Sequence, residues 1–312
     1  MKQSSPYVII RTLVYNHAPY LRDYFEGIIS QRTNFPFIAI VHDDCSTDNS
    51  AEIIREYAQK YPDIIYPIFE EINCYQNNLW DKAEEKIQAK YGNAKYVAFC
   101  EGDDYWTDPL KLQRQVDVLE QHPEYIFCCH RYKILHEPDR VITKDYAQKY
   151  YTEGENLLVT PELQSRTWLT KVLTMMIRID KYQIAVHEAK IKYDSDWDVY
   201  IYYELLKMGN GLSLNQFMGV YRQQENGIWA SQTQLSKART NFLACEKIYG
   251  QNADDSNILY LLQVNAISYL RQLNCLNKQD RELFKSMQKY FKTRQSKLKA
   301  LIVFILPSFI HR

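Results

Sequence analysis

Three short apolar runs in the first hundred residues, at 7–11, 37–41 and 96–100, each stop abruptly at polar or acidic side chains, and helix-periodic segments lie between them. A chain that alternates buried-strand and amphipathic-helix patterns builds strand–helix–strand units. Such units give a largely parallel sheet whose carboxyl strand ends gather on one edge. Residues 18–31 place Leu21, Phe25, Ile28 and Ile29 on one helical face, and 50–61 do the same with Ile53, Ile54 and Tyr57. Further helices are expected at 78–91 and 109–122, and further strands at 64–69 and 125–130. The fold class that follows is α/β.

The third run carries the strongest chemical signal. It ends in Glu101-Gly102-Asp103-Asp104, followed by Tyr105-Trp106-Thr107-Asp108-Pro109. Carboxylates packed this closely repel one another unless something cationic sits among them, and oxygen donors suit a hard divalent ion such as Mn²⁺ or Mg²⁺. A bland alternative is an acidic turn before a capped helix. Asp108, with Pro109 in the first turn, already serves as the cap, so Glu101, Asp103 and Asp104 are left without a structural task and are candidates to hold the metal. The first run ends at Thr12–Asn16 and the second at Asp43-Asp44. Asp44 offers a carboxylate to a nucleobase or ribose, while Ser46, Thr47 or Asp48 caps the following helix. Ligand crevices lie at such strand ends in α/β sheets.

Bulk composition excludes more than it selects. With Lys plus Arg and Asp plus Glu both at 38, there is no general pull toward nucleic acid. The 7 cysteines lack paired zinc spacing, and residues 1–5 run straight into a strand without a secretory leader. A reduced, cytoplasmic setting is expected. His17 and His42 flank the strand ends and are assigned no catalytic role. Cys128, Cys129 and His130 read as core.

Beyond residue 130 the pattern weakens. A polar loop is expected at 139–160, a strand holding Thr174 and Met176 within 167–179, a helix at 197–208 stopped by Gly209-Asn210-Gly211, and a last short strand at 219–222. Residues 232–295 are helix-periodic, with Leu259, Leu262, Ala266 and Leu270 as one stripe. After Glu282 there is no acid, and Lys285, Lys289, Lys292, Arg294, Lys297 and Lys299 precede an apolar run at 300–310. That run is too short to span a bilayer, which takes about 20 residues. It fits either a terminal helix packed on its own domain or a contact between residues 285–312 and an anionic membrane surface.

Tyr15-Asn16-His17, the helix ending at Gln31, Asp43-Asp44-Cys45-Ser46-Thr47-Asp48 and Glu101-Gly102-Asp103-Asp104-Tyr105-Trp106 together resemble glycosyltransferase family 2, with its GT-A nucleotide-sugar fold. The resemblance is close over residues 6 to about 130. It implies a mixed, mostly parallel Rossmann-like sheet flanked by helices over 1–230, with a donor half to about 130 and an acceptor half beyond. A helical extension would occupy 231–312. It also implies a nucleotide diphosphate sugar donor, foremost a UDP-sugar, and transfer to a saccharide or lipid-linked saccharide hydroxyl. Thr12, Tyr15 and Asp44 would contact the base, with Asn16 beside them. Glu101 and Asp103 would lie near ribose and diphosphate, and Asp103 and Asp104 would hold the cation.

Two weaker matches follow. Asp196, in Tyr193-Asp194-Ser195-Asp196-Trp197, fits the family's catalytic base, with Asp194 and Asp198 as alternatives. In Tyr221-Arg222-Gln223-Gln224, Gln224 stands where relatives carry His. Arg222 is then a candidate for the leaving diphosphate, and the cation has lost an imidazole. Thr174 and Arg178 match a segment that lines the acceptor side. Two rivals remain: a catalytically inactive nucleotide-sugar or carbohydrate-binding protein, and a sugar-phosphate nucleotidyltransferase. The second would need a Gly-rich phosphate loop where this chain has Tyr15-Asn16-His17.

Overall fold

The structure is a computed structural model and describes residues 6–195, 197–224, 227, 229 and 231–305. The strands are β1 (Val8–Val14), β2 (Phe37–Asp43), β3 (Ile65–Phe69), β4 (Tyr96–Phe99), β5 (Tyr105–Trp106), β6 (Phe127–His136), β7 (Val141–Lys144), β8 (Leu157–Val159), β9 (Met176–Arg178) and β10 (Gly211–Gln223). The helices are α1 (Leu21–Ile29), α2 (Ser50–Lys60), α3 (Trp80–Gln88), α4 (Lys111–Gln121), α5 (Pro161–Arg166), α6 (Ile179–Tyr193), α7 (Asp198–Met208), α8 (Gln234–Gln251), α9 (Ser256–Leu270), α10 (Lys278–Met287) and α11 (Arg294–Ile305).

The chain folds into two compact units. The first comprises residues 1–160, 169–187 and 204–224. It holds one mixed sheet in the order β3-β2-β1-β4-β9-β6-β10-β5, with β7 on β6 and β8 on β10. β3, β2, β1 and β4 pair in parallel, so the ends of β1, β2 and β4 share one edge as the alternation predicts. β9 then enters antiparallel between β4 and β6. Helix α1 is amphipathic by its spacing and buries Leu21, Tyr24, Phe25 and Ile28, with Phe25 stacked 4.2 Å from Tyr57 of α2.

The second half of this unit departs from the expectations in three ways. The polar segment 139–160 contains β7 and β8. Thr174 lies in a 3-10 turn while Met176 opens β9. The strand expected at 219–222 is 13 residues long. Its first half, Gly211-Leu212-Ser213-Leu214-Asn215-Gln216, does not alternate cleanly. It is held as a strand by parallel pairing to β6, with register shifts around Phe217.

The second unit comprises residues 161–168, 188–203 and 225–312. Its helices α8, α9 and α10 are capped by Thr233, Asp255 and Asn277, whose side chains accept from backbone N–H groups of the first turn. On α9 the buried face is Ile258, Leu262, Ala266, Tyr269 and Leu270, so Ile258 takes the place expected for Leu259. Helix α11 buries Ala300 and Phe304, and Phe304 stacks on Phe284 at 4.6 Å.

Candidate active site

Backbone close approach shapes the acidic turn. Gly102 donates its N–H to the Leu13 carbonyl at 3.1 Å, which draws the turn against the end of β1. A Cβ at Gly102 would lie 2.9 Å from both His17 Nδ1 and Val14 Cγ2, so any larger residue there would force those side chains to shift. Helix α1 is seated the same way: a Cβ on Gly27 would meet the Trp106 carbonyl oxygen at 2.8 Å. Gln31, at the end of that helix, donates to the Asp108 carbonyl at 2.9 Å and accepts from Leu112 N–H at 3.1 Å. The motif's entry is therefore fixed by the end of β1 and its exit by α1 and Gln31. Asp108 does not cap α4 as expected: its Oδ1 takes the Leu110 N–H at 2.8 Å in the preceding turn, and the N-cap of the helix, which begins at Lys111, is Leu110 with no side-chain bond.

The two proposed metal carboxylates sit in different environments. Asp104 is 3% exposed and accepts the Arg222 backbone N–H at 2.7 Å. Burial, then repulsion from Asp103, pushes its carboxyl well above the usual range, with the Arg222 N–H opposing. Asp103 is more open. Gln224 donates its amide to Asp103 Oδ2 at 2.7 Å, and His17 Nε2 lies 4.0 Å from the same oxygen. Glu101 Oε2 accepts from Leu13 N–H at 3.2 Å.

Oxygen donors of this kind, one buried and destabilised as an anion and one accessible, fit a hard divalent cation. Among the described residues no group of three or more His, Cys, Asp or Glu side chains forms a protein-only metal cage. The fit is therefore to an ion shared with a ligand, as with Mg²⁺ on one or two carboxylates plus substrate phosphates.

The turns after β1 and β2 interlock. Asn16 (φ 57°) and Cys45 (φ 60°) both adopt the left-handed conformation, which is strained for Cys. Asn16 Oδ1 accepts from the N–H groups of Thr47 at 2.7 Å and Asp48 at 3.3 Å, while its own N–H donates to Ser46 Oγ at 2.9 Å. Asp48 Oδ1 accepts from Ser50 N–H at 2.9 Å at the entry to α2, whose N-cap position is Asn49 with no side-chain cap bond. Asn16 thus builds the crevice wall through its side-chain oxygen. Asp43 binds Ser46, whereas Asp44, 6% exposed, accepts from Cys74 N–H at 2.6 Å and Tyr75 N–H at 3.1 Å.

Three expected contact residues are placed otherwise. Thr12 is fully buried, and its hydroxyl bonds the Tyr24 phenol at 2.5 Å, so its side chain faces α1 and presents no surface to a base. Arg222 is 3% exposed. It donates to the Asp103 carbonyl at 2.9 Å, Glu137 at 2.6 Å and Asp23 at 2.7 Å, and stacks over Tyr20. It is a clamp on the motif, with each of its three guanidinium nitrogens already engaged and little surface left to offer a diphosphate. Arg178 donates to the carbonyls of Tyr125, Leu119 and His122 and to the Tyr96 hydroxyl, so it holds the fold and does not line an acceptor site. Tyr15 remains partly exposed at the end of β1.

Asp196 lies outside the described residues. Of its alternatives, Asp194 follows α6 with φ 46°, and Asp198 opens α7. Sequence reasoning missed the structural work of Gly27, Gly102 and Gln31. Gln31 is marked only by its place in the motif, and its burial among polar backbone atoms has no local signal.

The family model for glycosyl transferase family 2 matches residues 9–179. An uncharacterized protein of Mycobacterium tuberculosis is 34% identical over 230 residues, 71% of this chain and 60% of its own length. This chain therefore spans about 60% of that curated relative. TuaG of Bacillus subtilis, provisionally named as a teichuronic acid biosynthesis glycosyltransferase, is 25% identical over 239 residues, 76% of this chain and 87% of its own length. Among solved structures, residues 1–349 of S. aureus TarS in complex with UDP-GlcNAc align with a TM-score of 0.63 at 15% identity. That match covers 98% of this chain and 91% of that one, and at this identity it speaks to fold.

Proposed function

The chain belongs to glycosyl transferase family 2, and from that premise we propose that it is an inverting, divalent-metal-dependent transferase of cell-surface polysaccharide synthesis. It would move a sugar from a nucleotide diphosphate donor to a saccharide or lipid-linked saccharide hydroxyl. The observation that carries this reading is the acidic turn itself. Asp103 and the buried Asp104 stand at the end of β4, beside the interlocked turns after β1 and β2.

Asp103 and Asp104 would hold Mn²⁺ or Mg²⁺, and Glu101 would lie on the ribose and diphosphate side. The cation would supply Lewis-acid neutralisation of charge on the departing diphosphate. Gln224 keeps Asp103 oriented toward that position through its amide hydrogen bond. Asp44 suits the N–H of a uracil, since each of its oxygens carries one backbone N–H and retains a second lone pair. TuaG's name supports a surface-polymer product.

Asp196 would take the proton of the acceptor hydroxyl as it attacks the anomeric carbon on the face opposite the leaving group, which inverts the centre. A lipid-borne acceptor would bring the enzyme to the inner face of the cytoplasmic membrane, with residues 285–312 as the peripheral contact. No helix among the described residues is long and apolar enough to cross a membrane.

Turnover of UDP-, GDP- and dTDP-sugars with Mn²⁺, in wild type, Asp104→Ala and Asp196→Ala, tests the reading. Metal-dependent turnover lost in both variants supports it. A wild type that binds donor but turns over none, across plausible acceptors, would leave the inactive binding protein as the better account. Full activity in Asp196→Ala would remove that residue as the base.

A further inference from the structure

Helix α11 has two apolar faces. One is buried through Ala300 and Phe304, the latter stacked on Phe284. The other is not: Leu298, Leu301, Ile302 and Ile305 are 55%, 39%, 44% and 36% exposed. Their spacing of i, i+3, i+4 and i+7 makes them one continuous stripe. Lys297 and Lys299 stand one residue either side of Leu298, about 100° around the helix in each direction, so they border the stripe on both flanks. Arg294 stands one turn before Leu298, at the head of the same stripe.

These cations also lack opposition. Lys285 pairs with Glu282 and Lys289 approaches Glu246, but Lys292, Arg294, Lys297 and Lys299 have no ion-pair partner among the described residues. No acid follows Glu282 in the sequence.

We infer that the outer face of α11 is a docking surface for an anionic lipid leaflet, with the helix lying in the plane of the interface. Its 12 described residues are too short to cross. At about 1.5 Å per residue they reach roughly 18 Å, against a hydrocarbon core of about 30 Å. The aliphatic stripe enters the headgroup–acyl boundary. The flanking lysines lay their methylene stems along it and keep their ammonium groups among lipid phosphates. A second copy of the chain fits less well. A twofold contact through this stripe brings two sets of Arg294, Lys297 and Lys299 into one interface with no acid on either helix to oppose them. The two readings of the tail, packed helix and membrane contact, are thus faces of one helix. The inference rests on the proposed lipid-borne acceptor only for its purpose. Vesicle binding needs no turnover, so its failure is separable from failure of the transferase reading.

The test is co-sedimentation of the full chain with vesicles of phosphatidylcholine, with and without phosphatidylglycerol. Binding to the anionic vesicles, weakened by salt, is expected. L301E/I302E should lower it on the order of tenfold or more, and K297E/K299E should remove the preference for anionic lipid. Unchanged melting temperature and donor hydrolysis would show that these exposed substitutions leave the fold intact. Absence of wild-type binding to anionic vesicles would overturn the inference. So would equal binding by both variants, or a wild-type dimer that L301E/I302E disperses while vesicle binding stays the same.

Discussion

Lys111 Nζ lies 3.7 Å from the centroid of the Trp106 ring, and the two side chains are 0% and 3% exposed. A lysine is thus sealed beneath the acidic motif, its nitrogen without a hydrogen-bond partner among the described residues. Burial lowers its pKa to about 7. The Trp106 face compensates in part when the amine is charged.

The sign of the resulting pH dependence is determined. The unfolded chain holds a proton on this lysine up to about pH 10.4, whereas the folded chain releases it near 7, so this group adds stability as pH rises between those values. Lys111→Met should remove that component. The variant's melting-temperature advantage should be largest near pH 6 and shrink toward about pH 10. A gap constant across that range would contradict the burial of a titrating amine.

Asp104→Asn should act in opposite directions on fold and site. It removes a buried anion crowded by Asp103 while leaving an oxygen for the Arg222 N–H, so metal-free stability should rise by about 1 kcal/mol. Mn²⁺ binding in the presence of UDP, followed by paramagnetic resonance of free Mn²⁺, should fall by at least tenfold. A variant that melts lower without metal would show that Asp104 is not strained in the folded protein.

Arg222→Met separates a clamp from a diphosphate ligand. Loss of the clamp leaves Glu137 and the Asp103 carbonyl without their donor and should lower the stability of the ligand-free protein by about 3 kcal/mol in urea unfolding. A residue waiting only for diphosphate would leave ligand-free stability unchanged.

Gln224→His restores an imidazole beside Asp103. Replacing a carboxamide with a nitrogen donor should tighten Mn²⁺ by about tenfold, measured by titration with UDP present. Unchanged affinity would place position 224 outside the cation's reach.

Gly102→Ala should destabilise by about 1–3 kcal/mol, because the new methyl meets Val14 and His17 at once. Thermal melting checks this, and His17→Ala should recover part of the loss by opening one side.

The first hundred residues are legible because each strand and helix there carries its own period. Leu21, Phe25 and Ile28 mark the buried face of α1 without help from any distant contact. The same local rule fails where pairing partners decide. Tyr105-Trp106 is a two-residue strand only because β10 lies against it. Thr12 and Arg222 lie in the expected neighbourhood, but which face of a strand each occupies depends on Tyr24, Asp23 and Glu137, contributed by other segments. The motif around Asp44 marks it as a crevice-turn residue. Nothing local announces that residues 74 and 75 cover its carboxylate.

The Arg222 clamp also bears on when the site comes into being. Its guanidinium ties Asp23, 199 residues earlier, to the acidic turn, and its backbone N–H reaches Asp104 across 118 residues. A chain leaving the ribosome completes β1 to β4 long before β10 exists. Until residue 222 emerges, the acidic turn has its bonds to Leu13 but lacks the Arg222 clamp, and Asp104 lacks the N–H that faces it. Maturation of the proposed cation site is therefore a late, long-range event in folding. A fragment ending near residue 130 should form much of its parallel sheet while holding Mn²⁺ no better than an unstructured acidic peptide.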